Sequence, residues 1–146
     1  MANRIVLIST ARVQEVTAKA AFYPGHLLEL ASDGKYQKHS SEGQSALRVV
    51  ALEDALQGNT TATAYAAEDA AQAVFANRGD NLQMFLKAGE TAVIGSPLIS
   101  AGDGTLVLES NVTSGVTVKD VVAYAEEALD LSGLGAVATL VDVLVR

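Results

Sequence analysis

Residues 78–108 read RGDNLQMFLKAGETAVIGSPLISAGDGTLVL, and the punctuation of this stretch decides the fold class. Turn signals recur at Gly79-Asp80, Gly89-Glu90, Gly95-Ser96-Pro97 and Gly102-Asp103-Gly104, about seven residues apart. Between them lie short apolar pieces: Leu82 to Leu86, Thr91 to Ile94, Leu98-Ile99 and Thr105 to Leu108. Closely spaced turns joining strands of roughly four to six residues predict a small all-β barrel or sandwich. The interval is too short for a solenoid or propeller repeat.

Working outward, the same grammar continues on both sides. Phe22-Tyr23-Pro24-Gly25 is a turn signal, because proline presets φ and glycine accepts φ > 0. His26 to Leu30 reads as a short strand, and Ser32-Asp33-Gly34-Lys35 carries the Asp-Gly chemistry of a hairpin. Tyr36 to Gln44 is polar and reads as a surface loop. Ser45 to Glu53 has the β-branched centre of a buried strand, and Asp54 to Gly58 reads as a turn anchored by Leu56. The alanines of Thr60 to Ala73 favour helix by propensity but lack a clean helical period, so the reading is a loop running into a strand at Gln72 to Ala76. Val118 to Leu129 is the helical candidate, with Val121, Val122, Ala125, Ala128 and Leu129 at i, i+3, i+4 spacing. Val137 to Val145 reads as a final strand.

The first residues differ from the rest. Arg4 to Val16 opens with a β-branched run, Ile5-Val6-Leu7-Ile8, and reads as an extended arm or an edge strand. The chain therefore divides into residues 1–20, an N-terminal arm or edge strand, and residues 21–146, a single β-rich domain. The expected architecture is mainly β: a small barrel with one or two short α-helices and an extended N-terminal arm.

Composition narrows the function. A formal charge of −7 repels phosphate backbones, and the ten basic residues form no run in the sequence, so no nucleic-acid partner is expected. No stretch approaches the eighteen or so apolar residues that span a bilayer, and the N-terminal apolar run is too short for a signal peptide. No membrane partner is expected, and synthesis in the cytoplasm is. The chain has no cysteine, which excludes disulfides and thiolate metal sites.

The residues form no recognisable catalytic or metal-binding constellation in the sequence. His26 and His39 lack the spaced partners a zinc site needs. His39-Ser40-Ser41 lies in a polar stretch without a nucleophile elbow and reads as a surface loop. Gly102-Asp103-Gly104 lacks the remaining ligands of a calcium loop and reads as a hairpin turn. Neither phosphate-binding glycine pattern occurs. Seven aromatic residues, spread thinly, do not form a stacking platform and read as mostly core. The expectation is a protein without enzymatic activity, cofactor, metal or small-molecule substrate.

Several blocks resemble the head decoration, or capsid cement, proteins of tailed bacteriophages. The run from Arg78 to Leu98 with Ser100 to Leu106 is similar to the central block of that family. Tyr23 to Glu29, Leu52 to Gly58 and Val122 to Ala128 are similar to its other blocks, in the same order. The resemblance covers residues 23 to about 130, and its weight lies in the order of the blocks, since no single motif is specific. It implies a β-tulip type domain and a homotrimer at three-fold and quasi-three-fold positions on the outer surface of the expanded capsid. The major capsid protein would be the partner, the N-terminal arm would lie on it, and the mature location would be the virion.

The arm reading supplies residues. An exposed strand with unpaired backbone groups adds to a partner's sheet edge, so Arg4, Ile5, Val6, Leu7, Ile8 and Arg12 are the candidate capsid-binding residues. Two rivals stand beside this reading. One is a biotinyl or lipoyl carrier module, whose modified lysine would be Lys87, although Leu86 and Ala88 flank it where the carriers have Met or Asp. The other is a different phage structural component, such as part of the tail or a fibre-binding module.

Overall fold

The structure is a computed structural model and describes residues 4–9, 11–112 and 119–146. Thirteen strands follow in order: β1 (Val6–Ile8), β2 (Arg12–Thr17), β3 (Leu27–Leu30), β4 (Tyr36–Lys38), β5 (Val49–Leu52), β6 (Ala70–Phe75) and β7 (Asn81–Leu86). They continue with β8 (Thr91–Ala92), β9 (Pro97–Ser100), β10 (Leu106–Leu108), β11 (Val121–Ala125), β12 (Leu129–Asp130) and β13 (Thr139–Val145). The glycine-punctuated stretch from Arg78 thus supplies β7 to β10, with the turns at Gly89, Gly95 and Gly102 to Gly104 falling between them.

Eleven of these strands form two curled sheets, and β8 pairs with β12 in a separate two-stranded ribbon. In the first, β7 pairs with β13 along one side, from Thr139 opposite Leu86 to Leu144 opposite Asn81. On its other side β7 takes β1 near its start and β10 at its end. The run β10–β9–β11–β13 then returns to β7 and closes a five-stranded barrel, with β1 as an added edge. Closure removes the sheet edges that would otherwise need capping. The barrel is filled by Leu82, Met84, Leu86, Leu98, Leu106, Val141 and Val143, all fully buried. Each such side chain stabilises by about 1.5–3 kcal/mol relative to exposure.

The second sheet has the order β2–β6–β5–β3–β4, and its strands split their side chains strictly by parity. Leu27, Val50 and Val74 point to the barrel and join its core. Leu28, Val49, Ala51, Ala71 and Ala73 point the other way, into a separate core capped by Phe22 and Tyr65, whose rings lie 5.6 Å apart. This resolves the alanine-rich stretch. Ala71 and Ala73 are small because two rings pack over them, and β6 is a strand despite their helical propensity. Ala18 bridges to Tyr36, so the two ends of this sheet nearly meet.

One close approach ties the layers. Gly25 has φ +98° and sits where a Cβ would lie 2.4 Å from Leu140 Cδ2 and 3.3 Å from Ile5 Cδ1. Its N–H donates to Ala51 O at 2.8 Å, and its carbonyl accepts from Phe85 N at 3.2 Å. The turn before β3 is thereby pressed between the second sheet and the barrel wall.

Three readings of the sequence change. Val118 to Leu129 is not a helix: β11 and β12 occupy its described part, and Val118 lies outside the described residues. β11 lies between β9 and β13, and a register shift between Val121 and Ala123 lets the consecutive residues Val122 and Ala123 both be buried. A bulged central strand covered on both sides imitates a helical period. The helical content among the described residues is two single 3₁₀ turns, Ala55–Gln57 and Glu109–Asn111. Leu56 does not anchor its turn either, because it is 95% exposed; Asp54 holds the turn by accepting from Gln57 N. The polar loop after Gly34 begins as β4, paired with β3 across the predicted Asp-Gly turn.

Candidate interaction surface

The residues proposed for the arm are held in the two sheets. Ile5 is fully buried in the barrel core, with its N–H donating to Glu53 Oε2 at 3.0 Å and its carbonyl accepting from Gln83 N at 2.7 Å. Ile5 is therefore an anchor and not a contact residue. Of the two alternatives, arm and edge strand, the described residues show edge strands: β1 on the barrel and β2 on the second sheet.

The remaining candidates divide between two grooves. Arg4, Val6 and Leu7 meet Val13, Leu52, Leu56 and Gln72 around an open groove of about 520 Å³. Leu7, Val13 and Leu56 are exposed there, and Ile8, 69% exposed, follows on β1. The outer edge of β2 is open: among the described residues, the backbone of Arg12–Thr17 bonds only to β6. Arg12 faces away from this groove. Its guanidinium stacks over the Phe75 ring at 4.6 Å and borders a second groove of about 410 Å³ with Leu47, Arg48 and Asn77.

Arg48 is the most connected side chain on this surface. It makes a forked pair with both oxygens of Asp120, at 2.7 and 2.9 Å, and donates to the carbonyls of Ala46, Val121 and Arg146. Hydrogen bonds from Arg48 hold the Asp120 carboxyl below its ordinary range, and the charges of Arg48 and Arg146 add to this. The network joins β5 to β11 and to the end of β13. Arg48→Ala is expected to cost about 2 kcal/mol in a urea titration, because it strands a half-buried carboxylate as well as removing the fork.

The histidines are both interior; His39 does lie in a loop, after β4, but not at the surface as expected. His39 is 3% exposed, with Nδ1 2.6 Å from Ser100 Oγ and Nε2 3.3 Å from Ser45 O and 4.0 Å from Glu29 Oε2. The arrangement has the membership of a serine–histidine–acid triad, yet Ser100 is wholly buried and its Oγ also accepts from Gly102 N at 3.1 Å. Its role here is to pin the segment after β4 to β9. His26 packs on Phe85 at 4.7 Å between ring centroids, and its Nδ1 accepts from Tyr23 N at 2.9 Å. Burial, then the charge of Lys38, lowers its pKa to about 4, against a smaller opposing effect of Asp103.

Lys87 is exposed in the turn between β7 and β8. Those two strands pair with β13 and β12 respectively and not with each other, so Lys87 is not at a hairpin tip. Gly102-Asp103-Gly104 is the predicted hairpin turn, between the paired strands β9 and β10, with Asp103 accepting from Thr105. Among the described residues no group of three or more His, Asp or Glu is placed to hold a metal ion.

No family model matches the chain, and no curated protein sequence does. Among solved structures it is similar to the N base of head fiber gp8.5 of bacteriophage phi29. The TM-score is 0.57 and the identity 18%, over 94% of this chain and 95% of the other. The likeness is one of fold, and it takes in nearly the whole of both chains.

Proposed function

We propose that this chain is a structural protein of a bacteriophage head, attached to the outer surface of the assembled capsid. The observation that carries the reading is the end-to-end fold likeness to the base of the phi29 head fiber. It agrees with the expectation drawn from the four sequence blocks, which no family model matches. In finer detail the reading is capsid cement. Three copies engage three equivalent sites on the major capsid protein lattice, and each gains from the others by avidity. Binding confined to the expanded lattice then stabilises that lattice by linkage. The reading involves no catalysis.

The attachment surface in this reading includes the exposed N-terminal edge, with Arg4, Leu7 and Ile8 as contacts and Ile5 as the buried anchor behind them. Deleting residues 1–16 would take Ile5 and Val16 out of two separate cores. Point variants such as Leu7→Glu and Ile8→Glu are therefore the cleaner probe.

The test is co-sedimentation with expanded heads that lack the protein, beside unexpanded procapsids. Saturable binding at a fixed copy number on expanded heads alone is the expected result. Protein left in the supernatant by the heads of the phage encoding it would sink the reading. A second reading, the base of a longer head appendage, is favoured by the identity of the structural neighbour. Thermal melting of loaded heads separates the two: cement raises the melting temperature, and an appendage base leaves it where it was.

A further inference from the structure

Four of the five arginines are far apart in sequence and close together in the fold. Arg12 stacks on Phe75, and Ala76 N donates to Arg48 O at 2.8 Å. Arg78 follows two residues later. Gly79 N donates to Val145 O at 2.8 Å and Val145 N to Asp80 O at 2.9 Å, which sets Arg78 beside Arg146. Arg48 Nε closes the group by donating to Arg146 O at 3.1 Å. Arg12, Arg78 and Arg146 are exposed, in a chain whose formal charge is −7.

Of the carboxylates at this end, Asp120 is charge-paired and two others keep their charge while accepting from neutral donors, so the three exposed arginines leave a small positive excess. Asp120 is forked to Arg48, Asp80 accepts from Ser9 Oγ and Asn77 N, and Glu126 accepts from Asn81. Two exposed apolar residues lie at this end: Leu47, 60% exposed on the second groove beside Arg12 and Arg48, and Ile8, paired on β1 with Asn81, three residues beyond Arg78.

We infer that this arginine end is a docking face for an acidic protein segment, held by Arg12, Arg78 and Arg146 with Leu47 and Ile8 as apolar contacts. The argument is charge complementarity confined to a small area. A long polyanion or an anionic membrane would extend past the patch and meet the acidic remainder of the chain, which repels it. A short carboxylate-bearing segment meets only the patch. Guanidinium forks match carboxylates in a bidentate manner, and exposed leucine and isoleucine suit side chains of a protein partner better than a sugar–phosphate backbone. The inference deepens the attachment proposed above and rests on it for the identity of the partner, which would present acidic residues on the head surface.

The test compares the full chain with Arg12→Gln/Arg78→Gln/Arg146→Gln and with the corresponding triple change to Glu. All three are first checked by circular dichroism for an unchanged fold. Arg48 is left intact because it is structural. The probes are a labelled poly-glutamate peptide, single-stranded poly-dT, phosphatidylserine vesicles and expanded heads. The native chain is expected to bind the peptide, about tenfold more weakly in the Gln variant and not at all in the Glu variant, with affinity falling as salt rises. Failure to bind the peptide, binding unaffected by either variant, or tighter binding to poly-dT or vesicles would overturn the inference. Heads separate the two proposals. Native and Glu-variant chains that bind heads equally refute the arginine face alone, whereas a native chain that binds peptide but no heads refutes the capsid reading alone.

Discussion

Gly25→Val is expected to lower stability by about 3 kcal/mol or more, roughly ten degrees in the thermal midpoint of a domain this size. Two costs combine. The φ of +98° is one that L side chains rarely adopt, and the new Cβ would meet Leu140 Cδ2 at 2.4 Å. Leu140 cannot withdraw freely, because it lies on β13 opposite Phe85, whose own ring stands 3.4 Å from the same point. Gly34→Ala is the matched control. It also has positive φ, +81°, but no atom lies within 4 Å of its Cβ position. It should cost only about 1 kcal/mol. Thermal melts of the two variants decide the matter: equal midpoints would mean that the sheet-to-barrel contact at Gly25 is looser than described.

Acid should weaken the protein in a defined window set by His26. Its folded pKa is about 4 against an ordinary 6.5, so between those values the unfolded chain binds a proton that the folded chain refuses. Stability is full above 6.5, falls as the pH drops toward 4, and is not lowered further by this group below that. The depth of the loss is about 3 kcal/mol, from 1.36 kcal/mol per unit. Protonation would also remove the acceptor that Tyr23 N uses. His26→Asn keeps an acceptor near that position and cannot titrate, so its urea midpoint should be flat over the upper part of the window, above the ordinary 4.5 of Glu29, whose carboxyl is also lowered. A variant as acid-sensitive as the native chain would assign the effect elsewhere. The lowered carboxylate of Asp120 acts at lower pH, below its ordinary 3.8, and is separable.

Local chemistry was legible in the sequence, and distant convergence was not. The Asp33-Gly34 and Gly102-Asp103-Gly104 turns announced their hairpins because turn geometry is decided by the residues within it. The barrel strands β7, β9 and β10 followed from the same punctuation. β11 was misread because the burial of Val122 and Ala123 depends on a bulge and on strands on either side, and none of these is written in residues 118–129. The burial of His39 is not legible locally because its neighbours Lys38, Ser40 and Ser41 are polar, while its partner Ser100 is 61 residues away. The arginine face was invisible for the same reason. Arg12, Arg48, Arg78 and Arg146 form no run, and only the pairing of β2, β5 and β6 and the return of β13 bring them together. Arg12 was picked out from the sequence, but as part of an arm.

The closing strand of the barrel has a consequence for biosynthesis. Among the described residues β13 joins β7 to β11 on that side, and it is made from residues 139–145. Until that segment has been translated and is free of the ribosome, the nascent chain carries two unpaired sheet edges, β7 and β11, beside exposed residues of the barrel core. Partial chains are thus the sticky species, and the interval between translating β11 and freeing β13 is when neighbouring polysome-bound copies are most exposed to one another.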